Sequence, residues 1–143
     1  MKKLLMVVFA LTIHPVFSQE AEVRKSIETF FEGLHKQDTL KIRSVFAKQM
    51  VLHSVSERKS GAVLSVESAD QIIKSISGIP KDMKIEEKLL SWKVSIDGSM
   101  AHVWTPYEFY VNGKLSHSGV NSFQLFNDNG QWKITYCIDT RKR

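Results

Sequence analysis

The chain has 143 residues, 20 of them Lys or Arg and 15 Asp or Glu, giving a formal net charge of +5, and 43% are hydrophobic. That length suits one domain with its own core, and the basic residues are scattered rather than gathered into the stripe that a nucleic-acid footprint requires. A single cysteine, Cys137, excludes an internal disulfide, so packing alone must hold the fold.

Lys2 and Lys3 precede an apolar run, Leu4 to Ile13, and Val16-Phe17-Ser18 offers a cleavage site before Gln19. The run is too short to span a bilayer as a mature helix. The pattern is that of a secretory signal peptide over residues 1–18, followed by one domain at 19–143. The mature chain keeps 18 basic against 15 acidic residues. It is expected outside the cytoplasm, periplasmic or secreted, with no membrane attachment after cleavage.

Val23, Ile27, Phe30, Phe31 and Leu34 recur at helical spacing and predict an amphipathic helix over 20–36. Asp38 can cap a second short helix with Leu40, Val45 and Phe46 on its apolar side. Residues 50–57 alternate as a strand, with Val51, His53 and Val55 on one face. Ser60-Gly61 reads as a turn and 62–66 as a further short strand. Ser68 and Gln71 form a capping box that opens a third helix carrying Ile72, Ile73 and Ile76, and Gly78 and Pro80 end it.

Residues 86–140 then read as a four-stranded antiparallel meander. Asp97-Gly98, Asn112-Gly113 and Asn129-Gly130 separate segments 87–96, 100–111, 115–126 and 131–140, and such dipeptides between alternating apolar runs are strong hairpin signals. A two-residue turn at Asn112-Gly113 would put the apolar sets of the second and third segments on different faces. Burial therefore favours a three-residue loop, Val111-Asn112-Gly113. Trp92, Val94, Ile96, Val103, Tyr107, Leu115, Phe123, Trp132, Ile134 and Tyr136 then share one side. This register sets Thr105, His117 and Asn121 on the apolar face, His117 across from Tyr107 and Asn121 across from Val103. It turns Cys137, Glu108 and Asp139 outward. Helices gathered on one side of such a sheet make an α+β fold.

With its order of helix, helix, short strands, helix and long meander, the chain resembles the nuclear-transport-factor-2-like (NTF2-like) superfamily. The segments Phe30-Phe31-Glu32-Gly33-Leu34, Trp104-Thr105-Pro106-Tyr107, His117 to Phe123 and Trp132-Lys133-Ile134 resemble its secreted bacterial branch, whose members are often labelled lumazine-binding. The resemblance implies three N-terminal helices packed in the concave face of a curved, mixed but mostly antiparallel sheet, a cone with a cavity inside. The superfold hosts isomerases, dehydratases, cyclases, carriers and non-catalytic partners.

Four histidines follow the leader. His35, at the end of the first helix, complements the helix dipole as a cation. His102 alternates outward. His53 and His117 share the apolar side of their strands and are the catalytic candidates. With Thr105, Tyr107, Asn121 and Tyr136 they form the expected ligand-binding set on a cavity wall. A neutral imidazole offers one donor and one acceptor and can move a proton near neutral pH. Proton abstraction of the ketosteroid-isomerase kind needs a buried carboxylate, and neither Asp139 nor Glu108 faces inward in this register. The leading expectation is therefore an exported protein that binds an apolar or aromatic small molecule. The alternatives are a cofactor-free isomerase, cyclase or dehydratase, and a non-catalytic partner-binding domain. No cofactor is expected, and two distant histidines without a third ligand make no metal site. Ser116 and Ser118 flank His117 but point to the other face. On the outer face Trp104, Tyr110, Val120 and Phe126 suggest an interface, and hence a homodimer.

Overall fold

The computed structural model describes residues 16–143. The leader expected over 1–18 lies, but for its last three residues, outside the described residues. Among those, no helix is long and apolar enough to cross a membrane.

Helices α1 (Val16–Lys36) and α2 (Thr39–Val45) lead into strands β1 (Phe46–Arg58) and β2 (Gly61–Ser68), then α3 (Ala69–Ser77). Five strands follow: β3 (Ile85–Leu89), β4 (Lys93–Asp97), β5 (Met100–Val111), β6 (Lys114–Asp128) and β7 (Gln131–Arg141). They form one sheet in the order β2-β1-β7-β6-β5-β3, with β4 also on β5. The β1–β7 pair is parallel and the others are antiparallel. The fold is the expected α+β cone: three helices pack on the concave face of a curved mixed sheet.

The helices form where their signals predict. Asp38 accepts from the Lys41 amide and caps α2, and the Ser68–Gln71 capping box opens α3. Val23, Ile27 and Phe31 of α1, Ile42 of α2 and Ile72 and Ile76 of α3 are buried. They meet Val103, Phe123, Leu125 and Ile134 from the sheet in one core. Leu40, expected on the apolar side of α2, is 82% exposed; Ile42 takes the inward position.

The sheet departs from plain alternation at four places, and each decides which side chains face inward. First, the segment expected as one strand from 87 to 96 is two. Pro106 of β5 has no N–H to give its neighbour. The ladder breaks there, between the pairs Leu89–Tyr107 and Lys93–Trp104, and only the Leu90 amide reaches back, to the Pro106 carbonyl at 2.8 Å. Second, β5 and β6 join by a two-residue turn, with φ of 50° at Asn112 and 75° at Gly113, not by the three-residue loop. A bulge at Ser116 then restores the phase: Tyr110 pairs with Leu115 but Phe109 with His117. The inward set beyond the bulge is as expected, displaced by two residues in pairing, so His117 faces Phe109 and Asn121 faces Thr105. Leu115, before the bulge, points out and is 57% exposed.

Third, β7 carries a bulge at Thr135, whose hydroxyl donates to the Gln124 carbonyl at 3.0 Å. Leu125 pairs with Ile134 and Gln124 with Tyr136. From there the alternation is inverted: Cys137 and Asp139 face inward and are buried, while Tyr136 and Ile138 face out. Fourth, β1 follows β7 in register, Leu52 beside Cys137 and Ser54 beside Asp139. Met50, Leu52 and Ser54 thus point in, and Val51, His53 and Val55 point out, the reverse of the expected phase.

Candidate functional site

The concave face and the helices enclose a cavity of about 260 Å³. Its floor and one wall are apolar: Phe30, Phe31 and Leu34 from α1, Ile72 and Ile76 from α3, Phe123 from β6. Glu67 of β2 and Ser75 of α3 also line it, bonded to each other at 2.9 Å, and further polar groups come from three other strands. Glu87 comes from β3, His117 and Asn121 from β6, Asp139 and Arg141 from β7. A mostly apolar pocket with a few convergent polar groups is the usual form of a small-molecule site.

Glu87 is one of its lining residues. It lies between Ile85 and Leu89, which turn inward with it, and Asn121 Nδ2 donates to its Oε1 at 2.6 Å. The carboxyl is withdrawn from bulk water, which pushes its pKa up to about 7; the charge of Asp139 adds to the rise, and the Asn121 bond and Arg141 oppose it. The strand that carries Glu87 is fixed from behind by His35, whose Nε2 accepts the Glu87 backbone N–H at 2.9 Å. His35 is therefore a neutral acceptor, not the cation expected at the end of α1, and burial lowers its pKa accordingly.

Asp139 is 7% exposed. Its Oδ2 takes the Arg141 guanidinium, with Nε at 3.2 Å and Nη2 at 3.1 Å. Arg141 also donates from Nη2 to Ser54 Oγ at 2.9 Å. Asp139 Oδ1 is buried and has no hydrogen-bond partner among the described residues. An acceptor left so in a cavity wall is suited to a ligand donor.

His117 stacks on Phe109 with ring centroids 4.9 Å apart and meets Tyr107 edge-on at 5.8 Å. Burial lowers its pKa, and the nearby charges of Arg141 and Arg143 lower it further, against Asp139. It is a neutral imidazole at neutral pH. Tyr107 lies across from Gly119. A Cβ at Gly119 would run into the Thr140 carbonyl and press the Tyr107 ring. The bare glycine lets that ring cross β6 and donate its hydroxyl to the Thr140 carbonyl at 2.8 Å. Burial raises the Tyr107 pKa strongly, so the phenol stays protonated.

Of the residues expected to bind ligand, Tyr107, His117 and Asn121 line the cavity. Thr105 is fully buried behind it and bonds to the Pro106 carbonyl. His53 and Tyr136 are on the other side of the sheet, joined by a 2.9 Å hydrogen bond between His53 Nδ1 and the Tyr136 hydroxyl. Their expected place in the cavity is corrected by the Thr135 bulge and the phase of β1. The Cys137 thiol, expected to face outward, is buried in the cavity wall, and burial drives its pKa up. Glu87, Asp139 and Arg141 were missed. Glu87 had a signal, two apolar neighbours at i±2. Asp139 had none, because no glycine marks the bulge before it. Among the described residues, no three His, Cys, Asp or Glu side chains gather closely enough to hold a metal ion.

On the outer face Trp104 and Phe126 are 46% and 40% exposed, and Val120 is half-buried. Tyr110 is tied into a polar group there, its hydroxyl donating to Glu108 at 2.6 Å and its ring under Lys88 Nζ at 4.4 Å.

No protein-family model matches the sequence, and no curated protein matches it. Solved structures do. An NTF2-like protein of unknown function from Shewanella baltica is similar at 14% identity, over 90% of this chain and 98% of its own, with a TM-score of 0.68. A proposed dehydratase of the NTF2-like family from Streptomyces avermitilis shares 17% identity over 90% and 99%, TM-score 0.71. A cystatin-like protein of unknown function from Nostoc punctiforme shares 13% over 96% and 96%, TM-score 0.68. The fold is thus the NTF2-like, cystatin-like one.

Proposed function

We propose that the cavity binds a small, largely apolar molecule and that Glu87 moves a proton on it, as in a cofactor-free isomerisation or dehydration. The observation that carries this reading is Glu87 itself: a carboxyl in a mostly apolar cavity, oriented by Asn121, with its pKa raised to about 7. A group poised near the working pH serves as base and then as acid in one cycle. Glu67, Tyr107, His117, Cys137, Asp139 and Arg141 are the titratable or charged groups that share the cavity with it.

In the step proposed, the Glu87 carboxylate takes a proton from a carbon next to a carbonyl of the ligand. The electron pair moves onto the carbonyl oxygen, where His117 or Arg141 supplies the hydrogen bond. Protonated Glu87 then returns the proton, to another carbon in an isomerisation or to a departing hydroxyl in a dehydration. Asp139 Oδ1 would hold a hydroxyl of the ligand. The inward carboxylate favours turnover over the expected binding without it, an expectation that rested on there being none. The name of the Streptomyces avermitilis neighbour supports dehydration as one member of the class.

Three further expectations join the proposal. The lysine-initiated apolar leader supports export, and the motif resemblance to the secreted, lumazine-binding branch supports a flat aromatic ligand. The outer-face aromatics support a homodimer.

The test uses a panel of enolisable aromatic and cyclic ketones in heavy water. The wild type should exchange deuterium into the position next to the carbonyl, with a rate that rises through pH about 7. Glu87→Gln should lose roughly 100-fold or more of that rate while binding the same ketones unchanged. Absence of exchange across the panel, or exchange untouched in Glu87→Gln, would overturn the proposal.

A further inference from the structure

A second chamber, of about 330 Å³, adjoins the first, and the two share His117 and Arg141 in their walls. Its character is opposite. Arg58 from the end of β1, Arg141 and Arg143 stand against one acid, Glu57, and the hydroxyls of Ser56 and Ser116 complete the lining. It forms where β1 and β7 run parallel, Ser56 beside Arg141, so that the arginines beyond them come to one rim. The Ser118–Lys142 bridge, with amides at 3.0 and 2.8 Å, ties that stretch to β6 beside His117.

Arg141 is anchored from the first cavity. Asp139 and Ser54 take its Nε and Nη2, and the side chain is still 40% exposed. A guanidinium has five N–H groups in a planar fork, so donors remain for a second acceptor. The planar fork pairs two-by-two with a carboxylate, and its neighbours Arg58 and Arg143 are exposed.

We infer that the natural ligand is an amphipathic acid: an apolar body seated in the first cavity and a carboxylate reaching past His117 into the arginine chamber. This deepens the reading of the first cavity as a ligand site and rests on it. The carboxylate end fixes the body's depth, and so decides which of its carbons meets Glu87. His117, shared by both chambers and neutral, marks the passage without adding charge. Arg58 and Arg143 are specificity residues in this arrangement; they touch the ligand's far end, not the atoms that react.

Naphthalene-1-acetate and its neutral counterpart naphthalene-1-acetamide are the probes, titrated calorimetrically into the full protein at low and high salt. The acetate should bind about tenfold tighter or more than the amide, equivalent to about 1.4 kcal/mol, with the difference shrinking as salt is raised. In the double variant Arg58→Gln with Arg143→Gln, which leaves Arg141 in place, the acetate's advantage over the amide should shrink severalfold, and the amide should be unaffected. Equal binding of the two probes to the wild type, or a preference undiminished in the double variant, would overturn the carboxylate site and leave the apolar cavity standing. If neither probe binds, the first cavity fails as a ligand site and the carboxylate site with it.

Discussion

Glu87 is a carboxyl placed where ionising it is costly, and that leaves a mark on stability as well as on chemistry. Its folded pKa of about 7 lies above the ordinary 4.5. Between those values the folded chain keeps a proton that the unfolded chain has released, so stability falls as pH rises through this window. Glu87→Gln keeps an acceptor for Asn121 and removes the titration. It should match the wild type below about pH 4 and exceed it above pH 7, by on the order of 3 kcal/mol. Urea melts across pH decide this, and parallel profiles for the two proteins would show that Glu87 is not held protonated. Asp139 differs from Glu87 in having its counter-ion in place: Arg141 answers one oxygen, and the other is buried without a hydrogen-bond partner among the described residues.

At the scale of elements, the cavity depends on a helix holding a short strand. β3 has five residues, and its centre is bonded to α1 through His35. Protonated His35 could not accept that N–H. Its pKa is lowered, so its contribution is complete above about pH 6.5 and is lost as pH falls below it. This runs against the Glu87 effect, and the two should be separable by variant. His35→Leu should cost about 1–3 kcal/mol at neutral pH by orphaning the amide, and hydrogen exchange at the Glu87 amide should speed up with it. An unchanged exchange rate there would mean that the bond to α1 does not restrain β3.

The elements were largely legible in the sequence because each helix and turn carries its own local signal. Asp38, the Ser68–Gln71 box, Gly78 and the Asn-Gly turns act through neighbours a few residues away. The inward face of β5, and of β6 beyond its bulge, was legible too, since Val103, Tyr107, Phe123 and Leu125 alternate without interruption. The site was half legible. Tyr107, His117 and Asn121 lie on those uninterrupted runs. Glu87, Asp139 and Cys137 lie beyond breaks in β3–β4 and β7, and those breaks are set by partners distant in sequence: Pro106 for the first, the Gln124 carbonyl for the second. His53 and Tyr136 were misplaced for the same reason.

At the scale of the whole molecule, the helices cover the concave face and leave the outer one bare. Met100 pairs with Phe126 there, beside Trp104, and all three are at least 40% exposed. A second copy of the chain is the proposed cover. Trp104→Glu with Phe126→Glu should give a folded monomer in sedimentation experiments, with circular dichroism unchanged. A wild type that is already monomeric at micromolar concentration would remove the dimer.

The breaks in the sheet have a consequence for how such a protein can change over generations. Along an unbroken strand, a point substitution alters the pocket or the outer surface but not both, so what the protein holds and what it associates with can drift independently. A bulge makes length itself informative. Losing Thr135 would only close the ladder, since Ile134 and Tyr136 already pair with the consecutive residues Leu125 and Gln124, and Cys137 and Asp139 would stay inside. A codon lost from the regular run beyond it would exchange both faces together, while almost any single exchanged letter in the same stretch rewrites only one.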